Sequence, residues 1–200
     1  IQDFRVYKGV AKYTSNFVVP ETSPDILPDT PSGVVGGSKL TKITDGAVYF
    51  DETDDYLSVP SSSDFTFGTG DFTVECFLTK DSNNHTGIWQ ISSTSGGLQS
   101  TNYTQTLALG YQFNRWQLYA GGSQVDGSAP PINGSVIPRK WYHLAVVRNS
   151  GTTKLYVDGR EEISISDTYN YTGTYMAIGG YYNNGYLLNG NISNLRVIKG

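Results

Sequence analysis

The chain has 200 residues, of which only 16% are charged, and its net charge is -4. Soluble domains average about 25% charged residues, and a nucleic-acid binder needs a basic face for phosphates; 14 Lys and Arg against 18 Asp and Glu supply none. The length fits one domain plus a linker, no apolar run approaches the roughly 20 residues that cross a bilayer as a helix, and a lone cysteine, Cys76, excludes an intrachain disulfide.

Taken in chain order, residues 1–17 open with an apolar-alternating strand. Residues 18–44 follow as a connector, with Pro20, Pro24, Pro28 and Pro31 and then Gly33, Gly36 and Gly37. Such a segment is extended and polyproline-like before it becomes flexible. Residues 45–200 read as one domain. Strands are expected at Ala47–Phe50, Tyr56–Val59, Phe72–Thr79, Gly87–Ile91, Gln105–Tyr111 and Arg115–Ala120. They continue at Tyr142–Arg148, Lys154–Val157, Glu162–Ile165, Tyr175–Ile178 and Leu187–Ile198. Fifteen Tyr, eight Phe and three Trp stand among 23 Gly, and aromatic runs between glycine-rich turns favour strands. Helical periodicity is absent. The fold class predicted is all-β, a two-sheet antiparallel sandwich.

One repeat joins the two ends. Ile1-Gln-Asp-Phe-Arg-Val-Tyr-Lys-Gly9 recurs as Ile192-Ser-Asn-Leu-Arg-Val-Ile-Lys-Gly200, 191 residues later, with five of nine positions identical. Three readings follow. The chain is a slice of a tandem array with that period, or Ile1–Lys8 fills a slot in a neighbouring copy, since an unpaired apolar strand is an aggregation hazard, or it folds back as an edge strand on its own domain.

Trp141-Tyr-His-Leu-Ala-Val-Val-Arg-Asn-Ser-Gly-Thr-Thr-Lys-Leu-Tyr-Val-Asp-Gly159 resembles the signature hairpin of laminin-G-like domains in the concanavalin A-like lectin and glucanase superfamily. Ala47–Leu57 resembles the family's opening strand pair, and Asp71–Phe77 its next core strand. Met176–Gly180 and Gly190–Val197 resemble its closing strands. The resemblance covers residues 45–198 and implies a concanavalin A-like jelly roll. With the flanking Arg5–Gly9 and Tyr13–Phe17, the chain is also similar to repeats in phage structural and bacterial surface proteins. In the hairpin itself, Trp141, His143, Ala145 and Val147 share one face, and Tyr142, Leu144, Val146 and Arg148 the other. Both faces are largely apolar, so a central strand covered on both sides is expected, with His143 packed in the core.

Catalysis finds little support. Retaining glycosidases need two carboxylates about 5–5.5 Å apart; the related glucanases set them in a Glu-x-Asp-x-x-Glu strand. Glu161-Glu162-Ile-Ser-Ile-Ser-Asp167 is the nearest approach and lacks that spacing. Cys76 stands mid-strand among apolar residues, a setting for burial rather than reactivity. The protein reads as no enzyme. For metal, Asp51-Glu-Thr-Asp-Asp55 gathers hard oxygen donors at a turn: either calcium bound through Asp51, Asp54 and Asp55, or a solvated acidic turn. The resemblance places a calcium-binding Asp in the closing strand, where this chain has Ser193.

Sugar rings stack their C–H faces on aromatic rings, and amides satisfy their hydroxyls. Tyr169, Tyr171, Tyr181, Tyr182, Asn183, Asn184 and Tyr186 lie on turns and are candidate carbohydrate-binding residues; the alternative is that they cover sheet edges or meet another subunit. Trp116 is either core or part of that surface. The functional expectation is a non-catalytic adhesion or structural module, extracellular or on a cell or virion surface. It is a repeat unit of a fibre or surface protein, with a glycan or cell-surface receptor and neighbouring copies as partners. The alternative is a dedicated lectin module of a secreted glycan-active protein.

Overall fold

The computed structural model describes residues 46–93, 107–181 and 186–200, all within the compact unit Gly46–Gly200. The expected N-terminal strand at 1–17, the connector at 18–44, and Tyr182, Asn183 and Asn184 lie outside the described residues; of Tyr181 only the backbone is described.

Fourteen strands form among the described residues: β1 (Val48–Asp51), β2 (Leu57–Val59), β3 (Phe72–Lys80), β4 (Thr86–Ser92), β5 (Leu107–Gln112), β6 (Arg115–Ala120) and β7 (Ser123–Asp126), then β8 (Tyr142–Asn149), β9 (Thr152–Val157), β10 (Arg160–Ser166), β11 (Tyr175–Ile178), β12 (Gly180–Tyr181), β13 (Tyr186–Leu187) and β14 (Asn189–Lys199). One 3-10 turn, Ser63–Phe65, is the only helical element described. The first sheet has the order β1-β14-β3-β8-β9-β10 and the second β2-β11-β4-β5-β6-β7; β12 and β13 make a small separate pair. Every strand pair is antiparallel.

Alternation along each strand decides what is buried. The inner faces supply Phe72, Val74, Cys76 and Leu78 from β3, Leu144 and Val146 from β8, Leu107, Leu109 and Tyr111 from β5, and Trp116 and Leu118 from β6, all in one core. A bulge between Gly87 and Trp89 breaks the alternation of β4, so that Ile88 and Trp89 are both buried. Four hairpins are two-residue turns with φ positive at both positions, at Phe113–Asn114, Gly121–Gly122, Ser150–Gly151 and Asp158–Gly159. That geometry matches the natural twist of the strands it joins.

Two expectations are corrected. β8 lies between β3 and β9, with its inner face covered throughout and its outer face only in part, at Ala145. On the outer face His143 and Val147 are half-buried, and Trp141 just ahead of the strand is exposed. His143 is therefore no core residue: its Nε2 lies 3.0 Å from Glu75 Oε2 and its ring packs on Phe77. The expected strand Leu187–Ile198 is interrupted at Leu188, and β7 was not anticipated.

Candidate functional site on the outer face of the second sheet

Strand register lines up polar residues on the face of the second sheet that points away from the core. Ser58, Ala177, Gln90, Ala108, Tyr119 and Gln124 form one row, one residue on each of the six strands. Gly87, Gly110, Gln117 and Asp126 form the next. Period two sets the faces: in β6, Arg115, Gln117 and Tyr119 take this side and Trp116, Leu118 and Ala120 the inner one, and of the first three Gln117 and Tyr119 are themselves buried. The two glycines leave the middle of their row without side chains.

Asp126 organises one end of the site. Its Oδ1 accepts from Gln117 Nε2 at 3.1 Å and Gln124 Nε2 at 2.9 Å, and its Oδ2 from Arg115 Nη1 at 3.3 Å. Holding three donors from two strands, this carboxylate fixes the amides in one orientation. Nearby, the Tyr186 ring from β13 packs against Ala108 and Tyr119 and lies 3.7 Å from the His85 ring, centroid to centroid. Burial, reinforced by the Lys80 cation and opposed by a hydrogen bond to Gln117, lowers the His85 pKa to about 4. The imidazole is neutral at pH 7. Gln90, Ala108, Gln117, Tyr119 and Ala177 are buried on this face, so what it presents at the surface is the Gln124 amide, the Asp126 carboxylate, the half-buried Arg115 and the half-exposed Tyr186 ring.

Of the tyrosines expected to form a sugar platform, only Tyr186 is seen here, half-exposed. Tyr171 is corrected: it is 2% exposed, so neither face of its ring can meet a ligand. Its hydroxyl donates to Asp167 Oδ2 at 2.8 Å and accepts from the Gly121 N–H at 2.8 Å. Its ring meets Phe72 edge-on and carries the Arg148 guanidinium above it. Tyr169 is half-buried against the core, with its N–H on Asp167 Oδ1 and its carbonyl accepting from Arg148. Both tyrosines close the interior around Asp167 and belong to a different set of neighbours from Tyr186. Trp116 is fully buried core. Gln90, Gln117, Gln124 and Asp126 were not singled out from sequence; a polar residue at every second position of an otherwise apolar strand was the available signal.

The acidic turn is divided. Carboxylate oxygens of Asp51, Asp54 and Asp55 come within 4.8 Å of one another, all exposed. Glu52 is drawn elsewhere, its two oxygens accepting from Asn84 Nδ2 at 2.9 Å and Asn189 Nδ2 at 3.3 Å. Three hard oxygen donors fit part of the six to eight that calcium takes.

Of the groups weighed for catalysis, Glu161, Glu162 and Cys76 are engaged or buried. Glu162, 8% exposed, accepts from the Ser128 and Ile132 N–H groups, and Glu161 pairs with Lys154. Cys76 is fully buried, and burial with the adjacent Glu75 charge pushes its thiol up to about 12.

Two antiparallel six-stranded sheets packed on one core define a concanavalin A-like sandwich. The chain belongs to the laminin-G-like family of the concanavalin A-like lectin/glucanases superfamily, whose model matches residues 51–200. Among solved structures it is similar to mouse laminin alpha1 domains LG4-5, with TM-score 0.56 and 16% identity over 84% of this chain and 45% of that one. It is similar to domain 4 of AbnA, an extracellular GH43 arabinanase of Geobacillus stearothermophilus solved with arabinotriose; here TM-score is 0.52 and identity 16%, over 77% and 70% of the two chains. Trypanosoma rangeli sialidase gives TM-score 0.56 and 17% identity over 76% of this chain and 25% of its own. The chain therefore spans less than half of the laminin structure and about a quarter of the sialidase. No curated protein matches it at a significant level. Among the described residues no helix is long and apolar enough to cross a membrane.

Proposed function

We propose that this chain is a non-catalytic glycan-binding module of an extracellular adhesion or structural protein, displayed on a cell or virion surface as a repeat unit. The observation that carries the reading is the outer face of the second sheet. At its accessible end the exposed Gln124 and Asp126 are held in fixed orientation, with the buried Gln117 donating to Asp126 from below, and the half-exposed Tyr186 ring packs on Tyr119, the register neighbour of Gln124. A pyranose needs this combination, an aromatic face for its C–H groups and planar amides or carboxylates for paired hydroxyls. The neutral His85 adds a partner without charge. The engagement of Glu161, Glu162 and His143 by other groups supports binding without hydrolysis. The similarity to a domain solved with arabinotriose supports the same ligand class. Asp51, Asp54 and Asp55 would hold a calcium ion as hard-oxygen ligands, with water completing the shell. Neighbouring copies or adjacent repeats, reached through Ile1–Lys8, are the second partner.

A glycan array with the full chain, followed by calorimetry on any hit, tests the reading. Asp126→Asn and Tyr186→Ala should each weaken binding at least about tenfold, roughly 1.4 kcal/mol, while the melting temperature changes little. An empty array, or hits that both variants retain in full, would leave the chain a purely structural repeat.

A further inference from the structure

We infer that Ile1–Lys8 is a second closing strand, built for the slot that β14 fills, and that its partner is another domain of this same fold. The slot is demanding. β14 pairs with β1 over Asn189–Ile192 and with β3 over Gly190–Lys199, so the stretch that the repeat duplicates, Ile192–Lys199, is held chiefly along β3. Ile192 enters the core at 5% exposure. The register to β3 then shifts between Ser193 and Arg196, and within that bulge Asn194 takes φ 50. Among non-glycine residues, Asn and Asp are the ones that accept this left-handed backbone. Past the bulge, Leu195 and Val197 pack against the core, Arg196 forms an ion pair with Glu75, and Lys199 Nζ donates to the Ser63 carbonyl at 3.1 Å.

Aligned by the 191-residue repeat, the N-terminal segment meets each requirement. Ile1 stands for Ile192, Asp3 for Asn194, Phe4 for Leu195, Arg5 for Arg196, Val6 for Val197 and Lys8 for Lys199. Its remaining differences fall where the slot asks little. Tyr7 replaces Ile198, which is 48% exposed. Gln2 replaces Ser193, whose hydroxyl donates to the Gly46 carbonyl, and an amide is a donor too. An ordinary edge strand would need only alternating apolar residues. An Asx at the bulge, an Arg placed for Glu75 and a Lys placed for the Ser63 carbonyl are the particular demands of the slot along β3. In this chain that place is taken by β14, so Ile1–Lys8 fits a second domain that lacks a closing strand of its own, whether in the same polypeptide or in a neighbouring copy.

The test vacates the slot. A chain of residues 1–191 loses Ile192–Gly200 but keeps Ile1–Lys8. The 36 residues from Val10 to Asp45 could extend roughly 120 Å, far beyond the roughly 20 Å length of the slot from Ser193 to Lys199. The 1–191 chain should show a cooperative melt near that of the full chain. It would be a monomer if its own segment swings back and a dimer if copies exchange segments. The 18–191 chain should lose the melt or melt far lower, and Val6→Asp should bring 1–191 down to that level. In the full chain, where β14 holds the slot, Val6→Asp should leave the melt unchanged. Equal melting of 1–191 and 18–191, or indifference of 1–191 to Val6→Asp, overturns the inference. Because the readout is folding, the outcome is independent of whether the module binds glycans.

Discussion

Lys80 closes the inner face of β3 at 1% exposure. Its Nζ donates to the Asn84 carbonyl at 3.2 Å and lies 5.0 Å from the centroid of the Tyr111 ring. Burial lowers its pKa from 10.5 to about 7, with the Glu52 charge opposing. The unfolded chain, which binds the proton up to about pH 10.5, therefore holds more protons than the native state between pH 7 and 10.5. Stability must rise with pH through that window. Cys76, Tyr111 and Tyr171 act the other way, since burial raises all three; their contribution declines only as pH passes the unfolded thiol and phenol values, near 9 and 10. Between pH 6 and 8.5 Lys80 dominates. Integrating its two titrations gives a gain of about 2 kcal/mol, or roughly 4–8 °C in melting temperature for a domain of this size. Lys80→Met keeps the length and apolar stem, and water can satisfy the exposed Asn84 carbonyl. Calorimetric melts at pH 6, 7 and 8.5 should climb for the native chain and stay nearly flat for Lys80→Met, which should be the more stable of the two at pH 6. A native chain flat across this range, or a variant with the same slope, would refute the argument.

Other perturbations follow from single contacts. Gly190 has φ +153, and an added Cβ would lie 2.0 Å from the Thr79 carbonyl oxygen. Gly190→Ala should thus open the β3–β14 ladder and cost about 2 kcal/mol or more, seen as a lower urea midpoint. Tyr171→Phe takes one donor from the buried Asp167 carboxylate, which keeps Thr153 Oγ1 and the Tyr169 N–H; a loss of about 1–3 kcal/mol is expected in the same assay. Millimolar calcium should raise the melting temperature, by about 2.7 kcal/mol at a hundredfold excess over Kd. Asp54→Asn with Asp55→Asn should abolish that rise, and a native melt indifferent to calcium and chelator would remove the metal. Below pH 6.5 the depressed His85 makes the native state bind fewer protons than the unfolded chain, so stability should fall from pH 6.5 toward 4, less steeply in His85→Gln.

Sequence alone determined most of the strands and the hairpin turns, because both are local; it missed β7 and the break at Leu188. Period-two patterning in Phe72–Thr79 and Arg115–Ala120, with Ser-Gly and Asp-Gly pairs between strands, marks β3, β6 and the hairpins around β9 without reference to any distant residue. The motif at Trp141–Gly159 carried the family for the same reason. Burial on a particular side is different, since it depends on which sheet face meets the other sheet. Both faces of β8 are apolar in sequence, yet only Tyr142, Leu144, Val146 and Arg148 turn inward, and His143 is left to pair with Glu75 from β3. Tyr169 and Tyr171 look like a surface platform in a polar stretch; the buried Asp167, 14 residues from its partner Thr153, draws Tyr171 inside. The outer-face site is the clearest case. Gln90, Gln117 and Asp126 come from three strands, and what places them in adjoining rows is the register between those strands, fixed by pairings that no single segment encodes.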